Sequence, residues 1–231
     1  MTDIKTKDAG HAGLEDIVAT DSSICFIDGL RSRLIYRGYS INDLAFRSSF
    51  EEVAYLLYFK KLPGKTELKD FTAFLAGQRA VPPALLEHMS SIPKTVHPMA
   101  VLRTMVSAMS FFDPETDNMS YESNLKKAQR FTAQMSTLVA AWDRIRNGKE
   151  PLAPKPELSH AENFLYMLSG KKPSELEAQC LDLYLVLLAD HELNASTFTC
   201  RVTASTLSDY YSAITSGIGT LKGPLHGGAN E

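Results

Sequence analysis

The chain has 231 residues, enough to bury roughly 70% of the surface its unfolded form exposes and to build one large domain or two small ones. Its 44% hydrophobic and 22% charged residues match ordinary soluble globular proteins and exclude general disorder. A formal net charge of −3 without basic blocks excludes the clustered Lys and Arg of a nucleic-acid binder and favours a small molecule or a protein as partner.

Residues 1–20 are expected to be a polar tail, neither a secretory signal nor a transit peptide, because they hold no apolar run. Residues 24–27 and 34–36 are rich in β-branched and aromatic side chains and flank Asp28-Gly29, which predicts a short β-hairpin. Ser40 with Asp43 marks a helix start, and from there the pattern is helical. Phe50, Val53, Ala54, Leu57 and Tyr58 share one helical face, and Leu62-Pro63-Gly64 stops that run. Leu68, Phe71 and Leu75 carry a second helix, while Pro82-Pro83 and Pro98 open two more at positions where a missing backbone donor does no harm.

A longer helix over 121–147 places Leu125, Ala128, Phe131, Met135, Leu138, Val139, Trp142 and Ile145 on one broad face before Gly148 and Pro151 end it. After an extended linker, Phe164, Leu165 and Leu168 predict a short helix ending at Gly170. Ser174 with Glu177 forms a capping box for the next, whose stripe of Leu176, Cys180, Leu183, Tyr184, Leu187 and Leu188 is expected to face a core and to end at Asp190-His191. Residues 194–206 are then dense in Ala, Ser and Thr, which suits either close helix packing or the wall of a polar cavity. Ser208-Asp209 starts a last helix running to about residue 220.

The longest apolar run, 183–189, is too short to cross a membrane. Cys25, Cys180 and Cys200 have neither metal nor redox spacing and cannot all pair within the chain, so a reducing cytoplasm is the simplest setting and no metal is expected. His191-Glu192 has no second histidine at Ala195, which excludes a zinc-protease helix. Gly217, Gly219 and Gly223 miss the dinucleotide pattern, and no serine-hydrolase elbow exists.

Two histidines remain in loop-like settings at either side of a small-residue helical hairpin. His11, His88, His97 and His160 are expected to be structural. His226 stands between Gly-Pro-Leu and Gly-Gly, where the backbone can approach a ligand closely, at what reads as the entry to a further helix. The partial positive charge of a helix N-terminus disfavours an imidazolium, so a histidine there acts as a neutral hydrogen-bond donor, a role that suits enolate chemistry.

Three motifs, Asp190-His191-Glu192-Leu193-Asn194-Ala195-Ser196, Ser208-Asp209-Tyr210-Tyr211 and Gly223-Pro224-Leu225-His226-Gly227-Gly228-Ala229-Asn230-Glu231, closely resemble the bacterial and archaeal citrate synthases. Ile35-Tyr36-Arg37-Gly38-Tyr39, His97-Pro98-Met99 and Arg103-Thr104 extend the resemblance over nearly the whole chain. It implies an all-α large domain over residues 21–231 with a short N-terminal β-hairpin, from a cytoplasmic homodimeric acyltransferase that condenses acetyl-CoA with oxaloacetate and needs no cofactor. Within it His226 would be catalytic, hydrogen-bonding the acetyl thioester oxygen, and His191 and Asn194 would hold oxaloacetate. Arg79, before Val81-Pro82-Pro83, falls near a substrate-contacting arginine of the related 2-methylcitrate synthases, whereas Leu225 leans towards citrate. Members of the family continue through a smaller domain, so the expectation is an incomplete domain with little turnover alone. That leaves open a fragment, a truncated gene, one half of a split synthase completed by a second chain, or a non-catalytic dimerisation scaffold.

Overall fold

The computed structural model describes residues 20–230, so the expected polar tail falls outside the described residues but for its last position. Strands β1 (Cys25–Asp28), β2 (Arg33–Tyr36) and β3 (Tyr39–Ser40) form an antiparallel sheet in that order, with Cys25 opposite Tyr36. The hairpin connection is longer than a two-residue turn at Asp28-Gly29. Asp28 instead accepts the Arg31 N–H at 3.1 Å and caps a 3-10 turn over Gly29–Arg31, and Ser32 at φ 52° brings the chain back.

The helices follow: α1 (Ile41–Arg47), α2 (Phe50–Phe59), α3 (Lys65–Gly77), α4 (Pro83–Ser91), α5 (Pro98–Met109), α6 (Tyr121–Arg146), α7 (His160–Ser169), α8 (Glu175–Leu187), α9 (Ala195–Ser205) and α10 (Tyr210–Leu221). Side chains cap most of their starts. Ser49 with Glu52, Ser159 with Glu162 and Ser174 with Glu177 form reciprocal capping boxes, and Asn194 and Asp209 accept from the first turns of α9 and α10. Among the described residues no helix is long and apolar enough to cross a membrane.

The main core lies between α4, α5, α6 and α10, where Leu85, Met89, Met105, Val106, Leu138, Trp142, Tyr211 and Ile218 pack together. Helix α6 is buried on more than its apolar face. Lys127 donates to the Thr116 and Asn118 carbonyls, Gln134 to the Ala80 carbonyl and Thr137 to the Arg79 carbonyl, which lets polar residues enter the interior with their donors satisfied. Val139, expected on the core face, is 39% exposed. Asp113, after α5, accepts from Tyr211 at 2.7 Å and from Arg130, tying α5, α6 and α10 together.

A second core joins Cys25, Tyr36, Ile41, Leu44, Val53, Leu56 and Val186. It seats the hairpin, α1 and α2 against the end of α8. The expectation for α8 itself is overturned, because only Val186 of that helix is buried. Leu176, Leu183, Tyr184, Leu187 and Leu188 are exposed, as is Cys180, since nothing in the described chain packs over their side. The helix also stops at Leu187, short of Asp190-His191.

Candidate active site

The small-residue stretch settles as close packing. Helices α9 and α10 lie side by side, and a Cβ built on Gly217 would stand 2.4 Å from the Cys200 sulfur. Hydroxyls cross the seam, from Thr220 to Thr199 at 3.0 Å and between Thr203 and Ser216 at 2.8 Å, so the Ser and Thr content satisfies itself at the helix contact.

The first turn of α9 gathers the candidate site. Asn194 caps it, its side-chain oxygen accepting the Thr197 N–H at 2.9 Å and the Ser196 hydroxyl at 2.8 Å. That fixes which amide atom is the oxygen and leaves Nδ2 as the donor end of the amide. His226 comes to the same turn from the far end of α10. Its Nε2 lies 3.3 Å from the Ser196 backbone nitrogen and 3.0 Å from the Ser196 hydroxyl. The helix terminus beside His226 is therefore that of α9, whereas the turn His226 was expected to enter is only a 3-10 turn over Gly227–Asn230.

The glycines flanking His226 serve the chain itself. A Cβ on Gly227 would stand 2.4 Å from the Leu221 carbonyl oxygen, and Gly228 donates its N–H to the Gly223 carbonyl at 3.1 Å. The loop folds back on the end of α10 and turns the imidazole towards α9. Leu225 is 99% exposed.

His191 is exposed on the loop between α8 and α9, three residues before Asn194. The residues on both sides of it are held by the hairpin. The Cys25 thiol lies 3.8 Å from the Asp190 carbonyl, Tyr36 accepts the Asp190 N–H at 3.3 Å, and Glu192 accepts the Ile27 N–H at 3.2 Å. Burial pushes the Tyr36 hydroxyl up to about 12 and, with Asp190 beside it, the Cys25 thiol up to about 12, so both stay protonated donors.

Arg79 is not brought to this turn. Its side chain is 1% exposed and donates to the carbonyls of Lys155 and Leu158 at 2.8 and 2.9 Å, which makes it the peg that holds the linker before α7. Among the described residues no group of three His, Cys, Asp or Glu is placed to hold a metal ion. Sequence reasoning missed Ser196, whose place two residues after a capping Asn is the signal that its N–H is free to be accepted.

The family model described as "Citrate synthase, C-terminal domain" matches residues 13–231. The chain belongs to the citrate synthase family. It is similar to citrate synthase 2 of Bacillus subtilis strain 168, 51% identical over 220 residues that make up 95% of this chain and 59% of that protein. A 2-methylcitrate synthase of Mycobacterium tuberculosis strain Erdman is among the relatives too, 42% identical over 95% of this chain and 55% of that protein. The citrate synthase structure from Pyrobaculum aerophilum superposes with a TM-score of 0.88 at 41% identity, covering 94% of this chain and 56% of that one. The citrate synthase of Thermoplasma acidophilum, solved as a ternary complex with carboxymethyl coenzyme A and oxaloacetate, gives a TM-score of 0.88 at 31% identity over 93% and 56%. The chain thus spans about three fifths of the length of the family members it matches.

Proposed function

We propose that residues 190–230 form the substrate-holding part of a citrate synthase site, where acetyl-CoA is joined to oxaloacetate and CoA is released. The observation that carries this reading is the Ser196 N–H directed at His226 Nε2. In the tautomer protonated on Nδ1, Nε2 accepts that N–H and Nδ1–H is left as a donor. With the ring held so, the first turn of α9 orients that donor.

The chemistry needs such a donor. When a base takes a proton from the acetyl methyl group, the electron pair moves onto the thioester oxygen, and a positioned donor there is worth about 3 kcal/mol of barrier. The enol carbon then bonds to the ketone carbon of oxaloacetate, whose oxygen takes a proton. Water next attacks the thioester carbonyl, the C–S bond breaks, and the thiol of CoA leaves. His226 Nδ1–H serves the thioester oxygen, and His191 with the Asn194 Nδ2 donors holds oxaloacetate. The base for the methyl proton is assigned to no residue of this chain.

Oxaloacetate titrated into the 231-residue chain is expected to raise its melting temperature, by the equivalent of about 2.7 kcal/mol at a hundredfold excess over Kd. Asn194→Asp keeps the cap oxygen, loses the amide donors and should abolish that rise, as should His191→Ala on its exposed loop. A wild-type melting temperature indifferent to oxaloacetate sinks the reading. Nitrogen NMR of the histidine rings gives a second check, with the Nδ1-protonated tautomer expected for His226.

A further inference from the structure

The loop 188–193 touches the N-terminal sheet at more points than packing alone requires. Tyr36, 0% exposed, sends its hydroxyl hydrogen to the Leu187 carbonyl at 3.0 Å and receives the Asp190 N–H on the same oxygen. It thereby satisfies an orphan carbonyl at the end of α8 and the first donor of the loop at once. Glu192 turns through the left-handed region at φ 58°, a conformation a glutamate adopts only when its surroundings hold it. Two contacts do so. Its own N–H donates to the Asp190 carboxylate at 2.9 Å, and its carboxylate accepts the Ile27 N–H from the outer edge of β1. His191 stands between these anchored neighbours with its own side chain exposed.

We propose that the N-terminal sheet is a positioning device for His191, acting through Glu192 on Ile27 and through Tyr36 on Asp190. The inference rests on the reading of His191 as a group that holds oxaloacetate. Glu192 and Tyr36 are positioning residues, since they act through the loop. The left-handed turn at Glu192 sets the direction from His191 into the Asn194 cap, and the carboxylate on the β1 edge fixes where that turn sits relative to the domain. Without the anchor the loop is tethered only at its ends, and His191 samples many orientations before each binding event.

The test uses the whole chain and three variants. Glu192→Gly relieves the backbone strain and removes the carboxylate, so it should fold at least as readily as wild type. Glu192→Gln keeps an oxygen for the Ile27 N–H. Tyr36→Phe removes only the hydroxyl. Hydrogen exchange of the 190–192 amides is expected to quicken roughly tenfold in Glu192→Gly and Tyr36→Phe, the worth of one hydrogen bond, with α5 and α6 amides unchanged. Oxaloacetate should bind those two variants about tenfold more weakly, and Glu192→Gln should restore both readouts.

Wild-type exchange at 190–192 in Glu192→Gly overturns the proposal. So does faster exchange with unchanged oxaloacetate affinity, because the anchor then orders the loop without serving His191. Should wild type bind no oxaloacetate while exchange quickens in Glu192→Gly and recovers in Glu192→Gln, the anchoring stands and the functional reading falls.

Discussion

Arg79 shows how a single side chain is assigned by its contacts. A guanidinium that is 1% exposed and donates to two carbonyls of the 150s linker holds that linker down, and its backbone carbonyl in turn accepts the Thr137 hydroxyl at 2.7 Å. Removing it leaves two buried acceptors and a void. Arg79→Ala is expected to cost about 3 kcal/mol of stability while oxaloacetate affinity stays at the wild-type value below the melting temperature. Urea unfolding with calorimetry decides it, and a large loss of affinity in a stably folded variant would return Arg79 to the site. His226 is the opposite case. Its partner Ser196 is thirty residues away in sequence, and only the fold brings an N–H of α9 to its ring.

At the scale of elements, the signals written locally in the chain came through, and those that depend on a distant partner did not. The capping box of Ser174 and Glu177, the prolines opening α4 and α5, and Gly170 in the left-handed conformation at φ 82° are contacts within one turn, so the sequence carries them whole. The stripe on α8 is amphipathic as read, yet periodicity reports only that one side is apolar and not what lies across from it; Leu183 and Leu187 are each 38% exposed. The candidate site divides in the same way: His191, Asn194 and His226 stand out by motif, while the contacts that Ser196, Tyr36 and Glu192 make come only from the fold.

The seam between α9 and α10 was left between packing and cavity by composition, and Gly217 decides it. Gly217→Ala would press a methyl group on the Cys200 sulfur, costing about 1 to 3 kcal/mol against roughly 1 kcal/mol gained by removing a mid-helix glycine. In a Cys200→Ala background the sulfur is gone and Gly217→Ala should become stabilising. A double-mutant cycle by urea unfolding is expected to show coupling of about 1 kcal/mol or more, and additive effects would mean that the helices lie further apart.

Across the whole molecule, the buried His160 and the half-buried Asp182 set opposite responses to acid. Burial, with the Arg79 charge nearby, lowers His160 to about 4, so the native state keeps it neutral while the unfolded chain protonates it below about 6.5. Stability from His160 is therefore present above that value and lost as pH falls towards 4, by at most about 3 kcal/mol. Asp182 runs the other way. Burial raises it to about 6 from the usual carboxylate range, with Glu51 and Glu52 adding repulsion, although the Phe50 N–H donates to it at 3.2 Å. Its folded value lies above the unfolded one, so its contribution is full at low pH and disappears as pH rises through 6. Between about pH 4 and 6 the two slopes have opposite signs and largely cancel. Asp182→Asn keeps an oxygen for the Phe50 N–H and removes the titration. It should melt higher than wild type at pH 7, converge with it near pH 4, and expose the full acid sensitivity of His160 in between. Melting curves for the two proteins that stay parallel from pH 4 to 7 would show that Asp182 carries an ordinary carboxylate and that the balance does not exist.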